Sequence, residues 1–406
     1  MTTTAQKTTL RFASALSHLV SAEEAGEEVA RAVRDSLGTD QPDLACLFFS
    51  GHYAATADRL LSAIRSLLKS TVLIGCTGEG IIAQGQEFEE APAVTLWAAR
   101  LPGVRMSPVH LPFDGDDVET GVPDWPFETE AFNESLDRES PLLLMLADPF
   151  TTPVKDSLDS LHDIYPSIRA IGGLAGGGRE PGEHRLILDD RVFDRGLVGV
   201  LLSGPVSVHT VISQGCRPIG ERYIVTRSDH NVIYELGGVS ALDQLQQAFE
   251  SLTDDEKQHA QRALHLGIAM DEHRDRFDRG DFLVRNILGA DRSSGSIAVG
   301  DTVQEGQTVQ FHLRDAESAS EDLNLLLAAE QNRAALAPKG GLIFSCCGRG
   351  HHLFGHLHHD AETVHNRFGG IPVSGFFCQG EIGPVGPHNF LHGYTASIAL
   401  FFEPDP

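Results

Sequence analysis

The chain is 406 residues long with 41% hydrophobic and 22% charged residues, a balance that supports buried cores in two or three domains and excludes a disordered chain. Its formal net charge is −26, from 31 basic and 57 acidic residues, which opposes close approach to phosphate backbones and anionic lipid, so no nucleic acid partner is expected. No run approaches the roughly 20 apolar residues of a membrane span, and the start, Met1 to Thr9, lacks the apolar stretch of a signal peptide. The expected location is therefore the cytoplasm, without membrane insertion. The six cysteines sit mostly in apolar or glycine-rich strand ends and not in paired spacings, a pattern of reduced thiols.

In chain order, Ser21-Ala22-Glu23-Glu24 reads as a capping box, and Ala25, Val29, Ala32, Val33 and Leu37 then form one helical face that Gly38 ends. A passage then occurs three times: an apolar strand, a helix, a second strand and a glycine-rich bend. Its copies run from Leu44 to Gly75, from Leu142 to Gly172 and from Leu342 to Gly375, with near-equal spacing. The helices follow from the apolar periodicity of Leu60, Leu61, Ile64, Leu67 and Leu68, of Val154, Leu158, Leu161 and Ile164, and of Ala361, Val364 and Phe368. Thr152-Pro153 offers a cap and a first-turn proline to the second, and Asp360 a cap to the third. A further strand follows each bend, at residues 93–99, 196–202 and 394–401, so the module reads β-α-β-loop-β.

Residues 112–140 are rich in Pro, Asp and Glu and read as an acidic surface connection. After Ser203-Gly204-Pro205 the rhythm changes: helices around Leu242 to Leu252 and from the Thr253-Glu256 cap, strands at 266–270, 282–288, 297–299 and 309–313, then a helix over 323–335. The expected fold is α/β, in the mixed α+β sense, with repeated β-α-β-β modules forming sheets covered by helices in two domains packed together. Residues 1–210 would hold two modules, and residues 211–406 an insertion followed by the third.

The stretches Leu73-Ile74-Gly75-Cys76-Thr77-Gly78-Glu79-Gly80, Phe282 to Gly289, Gly341 to Gly350 and Gly375-Phe376-Phe377-Cys378-Gln379-Gly380-Glu381-Ile382-Gly383-Pro384 together resemble the FIST family, the F-box and intracellular signal-transduction domains with paired amino- and carboxy-terminal halves. The likeness covers nearly the whole chain. It implies a stand-alone sensor of a small ligand such as an amino acid, acting through a partner such as a kinase or a cyclic-nucleotide enzyme. One branch of the family resembles a haem-based nitric-oxide sensor, which keeps haem open as an alternative cofactor; otherwise none is expected. No F-box, kinase signature or output domain accompanies these motifs.

The candidate ligand-binding residues are Cys76, Thr77, Glu79, Ser345, Cys347, Arg349, Phe377, Cys378 and Glu381. Arg349, between Gly348 and Gly350, offers a forked donor pair suited to a carboxylate, and Glu381 or Glu79 would neutralise an ammonium. The amides of residues 76–80 and 376–380 would complete the cradle. The bland alternatives are an Arg349 ion pair, backbone-bonded carboxylates at the bends, and Phe376 and Phe377 as core. Cys347 and Cys378, with histidines and Glu381 near in sequence, also carry the ingredients of a thiol nucleophile and its base, so a hydrolase or transferase stays open. Eight of the 19 histidines fall between His351 and His392, a density that can supply haem or metal ligands although it matches no standard zinc spacing. Gly172 to Arg179 looks like a phosphate loop but lacks the Gly-x-Gly-x-x-Gly order and a Walker lysine. The expectation is recognition of a small polar metabolite, not turnover.

Overall fold

The structure, a computed structural model, describes residues 9–113, 123–127, 141–274, 276–277 and 279–404. It is a mixed α+β fold that separates into two compact units, one of Met1–Ile212, Leu326–Leu391 and Thr395–Pro406, the other of Ser213–Leu325 and His392–Tyr394. Most of the acidic connection expected over 112–140 lies outside the described residues. Within it, Trp125 and Phe127 are buried and stack on each other at 5.7 Å instead of lying on the surface.

The first unit is built from three sheets of one design. The first passage runs β1 (Arg11–Ser17), α1 (Ala22–Leu37), β2 (Leu44–Ser50), α2 (Ala57–Leu67), β3 (Val72–Gly78), β4 (Gly80–Ala83), β5 (Gln86–Phe88) and β6 (Val94–Arg100). The second runs β7 (Arg105–Leu111), β8 (Leu142–Ala147), α3 (Val154–Ile164), β9 (Arg169–Leu174), β10 (Leu186–Leu188), β11 (Arg191–Phe193) and β12 (Leu197–Ser203). β13 (Ser207–Ser213) opens the third, which resumes after the second unit. The Ser21 hydroxyl accepts from the Glu24 amide at the start of α1, and Gly38 ends that helix in the left-handed conformation. Thr152 does not cap α3: its hydroxyl donates to the Gly196 carbonyl at 2.8 Å.

In the second unit, β14 (Cys216–Asp229), β15 (Val232–Leu236), β16 (Val239–Ser240), α4 (Ala241–Glu250), α5 (Asp254–Ala263), β17 (Leu264–Ala269), β18 (Phe282–Asp291), β19 (Ser296–Val299) and β20 (Thr308–Arg314) follow in turn. The antiparallel order β14-β20-β17-β18-β19-β15 returns to β14, closing a barrel that removes exposed sheet edges. Helix α6 (Ala316–Arg333) leads back to the first unit. There β21 (Gly340–Cys346), α7 (Gly350–Phe354), α8 (His359–Phe368), β22 (Val373–Cys378), β23 (Glu381–Val385), β24 (His388–His392) and β25 (Ala396–Phe402) complete the third passage.

The strand orders are β1-β6-β2-β3-β10-β11, β7-β12-β8-β9-β23-β24 and β13-β25-β21-β22-β4-β5. In each, a parallel pair (β2 with β3, β8 with β9, β21 with β22) is flanked by an antiparallel return strand. What the sequence read as a loop after each bend is a hairpin, and each hairpin joins a different sheet. The hairpin after β3 pairs with β22, the one after β9 with β3, and the one after β22 with β9. The exchange is cyclic, so no module completes its sheet alone.

Strand alternation sets the layers. Leu44, Cys46 and Phe48, Leu142, Leu144 and Leu146, and Leu342 and Phe344 point to one shared core with Trp97, Phe376 and Phe401. The residues between them face the other way: Ala45, Leu47 and Phe49 pack under α1 and α2, and Leu143 and Met145 under α3. Strands buried on both faces read as unbroken apolar runs, which is why these stand out in the sequence.

Gly75, Gly172 and Gly375 are not bends. They lie inside β3, β9 and β22, opposite Leu47, Met145 and Ile343. A Cβ at each would stand 2.3, 1.8 and 1.8 Å from the carbonyl oxygen of that partner. Their equal spacing records one steric demand made three times; the chain turns a few residues later.

Candidate functional site

The parallel strands end on one face of the first unit, and the turns after them meet there. Glu79 N donates to Phe377 O at 2.9 Å, Gly176 N to Thr77 O at 3.0 Å and Gln379 N to Leu174 O at 3.3 Å. Each donor sits at the equivalent turn of its own module and each acceptor two residues before the turn of the next, so the three bonds form a closed ring. The ring is crowded: a Cβ on Gly176 would lie 2.6 Å from Glu79 N, and one on Gly51 would lie 2.6 Å from Gly177 O. Carboxyl ends of parallel strands are where α/β folds place their ligands.

The preceding strand ends also correspond. The amides of Ser50, Asp148 and Cys346 donate to Ala93 O, Gly196 O and Thr395 O at 2.9, 2.8 and 2.9 Å. At this shared position the modules thus carry a hydroxyl, a carboxylate and a thiol.

Glu79, Gln379 and Cys347 are exposed on this face. Glu79 Oε2 accepts from Gly177 N at 3.0 Å, and Gln379 Nε2 donates to Gly178 O at 3.0 Å. Thr77 is buried, its Oγ1 accepting from Arg185 N at 3.2 Å. Cys76 and Phe377 are also buried, and burial together with Cys46 pushes the Cys76 thiol well above its ordinary range. These two are core, not ligand contacts.

Arg349 does not offer its fork to a ligand. It is 0% exposed, its Nε and Nη2 donating to Asp360 Oδ2 and Oδ1 at 2.6 and 2.8 Å. Ser345 Oγ donates to the same Oδ2 at 2.8 Å, and His359 Nδ1 lies 2.9 Å from Oδ1. Burial opposes the charge on Asp360, but Arg349 and these bonds outweigh it and hold the carboxyl well below the usual range. Asp360 is therefore not the cap of α8. That place belongs to Glu87 of β5, whose Oε1 accepts from Asp360 N and Ala361 N, both at 2.9 Å.

Glu381 is not at a bend either: it opens β23 opposite Gly173 and is fully buried. Its Oε2 accepts from Thr395 N at 2.9 Å. Burial and the neighbouring Cys346 push its carboxyl well above the ordinary value, and, enclosed in the core, it does not present a charge to an ammonium on the surface. Cys378 Sγ donates to Ser345 O at 3.2 Å and lies 3.8 Å from Glu381 Oε1. Burial, with Glu381 beside it, pushes this thiol up too, the opposite of what an activated nucleophile requires.

The histidine string is partly engaged in structure. His358 Nδ1 accepts from Glu87 N at 2.9 Å, and His359 stacks on Phe354 at 3.5 Å. Among the described residues, no group of three or more His, Cys, Asp or Glu side chains is placed to hold a metal ion.

Sequence reasoning missed His184. It is fully buried, with Nδ1 at 2.8 Å from Asp148 Oδ1 and Nε2 without a hydrogen-bond partner among the described residues, and Phe150, 44% exposed, stacks over it at 5.5 Å. A Cβ on Gly178 would stand 3.0 Å from Nε2, which puts this nitrogen directly under the second turn. A histidine soon after a glycine run was the one available signal.

The chain matches the FIST N domain over residues 43–239 and the FIST C domain over residues 241–384. It is 43% identical over 385 residues to an uncharacterized protein of Mycobacterium tuberculosis, covering 93% of this chain and 96% of that protein. It is 40% identical over 386 residues to an uncharacterized protein of Mycobacterium bovis, covering 94% and 96%. Among the described residues, no helix is long and apolar enough to cross a membrane.

Proposed function

The chain belongs to the FIST family, whose domains are associated with signal transduction, and from that premise we propose that it is a sensory protein that binds a small polar metabolite on the face where the three turns meet. The observation that carries this reading is the closed ring of turn hydrogen bonds with Glu79 and Gln379 exposed upon it. A ligand seated on the ring touches all three modules at once, and its binding energy acts on how they are held together. Glu79 supplies a carboxylate for an amine, Gln379 an amide for a polar group, and the buried His184 ring nitrogen a further partner once Phe150 moves aside. With Arg349 and Glu381 engaged inside the protein, the part of an amino acid that this face reads best is its ammonium. Occupancy would be reported to a partner protein, a kinase or a cyclic-nucleotide enzyme being the class that family membership suggests.

Thermal denaturation of the whole chain against a panel of free amino acids and small primary amines tests this, because a ligand that binds only the native state raises the midpoint. At least one compound is expected to raise it, with the rise lost in Glu79→Gln. No response across the panel, or an equal response in Glu79→Gln and Gln379→Ala, would overturn the reading.

A further inference from the structure

Cys346 and Cys378 end the parallel strands β21 and β22 and are direct partners in register. Alternation puts both on the face that carries Phe344 and Phe376, toward the shared core. Neighbouring strands lie about 4.8 Å apart, inside the Cα separation of roughly 4.4 to 6.8 Å that a disulfide spans. Neither sibling module has such a pair: the first carries Ser50 opposite Gly78, and the second reaches the same level with Asp148 and Ala175. Cys346 is 8% exposed beside the exposed Cys347, whereas Cys378 is fully buried. The carboxyl of Glu381 is hydrogen-bonded to Cys346 and lies 3.8 Å from Cys378 Sγ.

We infer that Cys346 and Cys378 form a reversible redox pair that reads a hydroperoxide on this face of the protein. The Cys346 sulfur attacks one peroxide oxygen, the O–O bond breaks, and the alcohol or water leaves with the thiol proton, giving a sulfenic acid. The Cys378 sulfur then attacks that sulfur: an S–S bond forms, the S–O bond breaks, and hydroxide leaves as water with the Cys378 proton. The two thiols supply the two electrons that the peroxide takes up, and Glu381, within reach of both sulfurs, passes the protons. A thiol held protonated in the core does not start the reaction; it waits as the second reductant. The new bond ties β21 to β22 beside the ring of turns, and a small-molecule thiol reverses it.

The test exposes the reduced, intact protein to hydrogen peroxide, blocks remaining thiols with iodoacetamide and maps peptides without reduction. The expected product is a peptide pair linked through Cys346 and Cys378, released by dithiothreitol and still formed in Cys347→Ser. It is expected to disappear in Cys346→Ser and Cys378→Ala, which install the residue types that the sibling modules carry at those levels and so preserve the fold; circular dichroism checks that they do. Alkylation of both Cys346 and Cys378 after peroxide, a Cys346–Cys347 link, or oxidation confined to Cys347 would each overturn the inference.

Discussion

Glu87 and Asp360 join two modules at the start of one helix: Glu87, on the hairpin that leaves the first module, accepts the amide hydrogens of Asp360 and Ala361 in the third, while the Asp360 carboxylate turns inward to Arg349. Two acids thus share a buried helix terminus, and among the described residues only Asp360 has a counter-ion, Arg349. Burial, followed by the charge of Asp360, pushes the Glu87 carboxyl up to about 7 despite the two amides that favour its ionised form.

That shift has a definite sign. A carboxyl whose folded pKa is raised contributes stability that is fully present below its unfolded pKa, near 4.5, and is lost as pH rises through about 7. Wild-type protein is expected to lose resistance to urea between pH 5 and pH 8, and Glu87→Gln, which keeps an acceptor for the amides, to lose less. Urea midpoints measured across that window check it, and parallel curves for the two proteins would contradict it.

In the barrel the sign reverses. His265 and His312 are partners in register on β17 and β20, and burial lowers both to about 4. A histidine depressed in this way stabilises the fold above its unfolded pKa, near 6.5, and that stability is lost as pH falls toward 4. Hydrogen exchange of β17 and β20 is expected to speed up between pH 6.5 and 4.5 beyond the intrinsic pH effect, with a smaller change in His312→Gln. Equal changes in the two proteins would count against the assignment.

Arg349→Ala leaves Asp360 charged, buried and without its ion pair, a defect that costs roughly 3 to 5 kcal/mol. The expected result is a large drop in the denaturation midpoint, partly recovered in Arg349→Met combined with Asp360→Asn. A variant as stable as wild type would mean that Arg349 is not the structural anchor described above.

Gly172→Ala places a Cβ 1.8 Å from the Met145 carbonyl oxygen, whereas a Cβ on Gly289 meets nothing within 4 Å. The first substitution is expected to abolish folding or to cost several kcal/mol, the second to stay within about 0.5 kcal/mol. Expression and urea denaturation of the two variants compare them directly.

Much of this fold was legible because its strands are buried on both faces and its helices are amphipathic. The apolar runs at Leu44, Leu142 and Leu342 and the faces of α1 to α3 follow from that chemistry alone. The hairpin exchange was not legible, since β4, β10 and β23 are short and their partners lie in other modules; only three-dimensional pairing shows where Ile81 or Glu381 docks. The site was half legible for a related reason. Sequence proximity suggested that Arg349 and Glu381 faced a ligand, but burial decides their roles, and burial here comes from distant chain. Glu87 carried no local pattern and His184 only its place after a glycine run, because what makes each of them unusual is a partner on another element.

Hydrogen exchange of the intact protein with and without a stabilising amine from the ligand panel tests the central claim most directly. If a ligand is read where the three modules meet, the amides of Glu79, Gly176 and Gln379 gain protection together, and Glu79→Gln abolishes the gain at all three. Protection at a single turn, or confined to another part of the chain, would contradict the account.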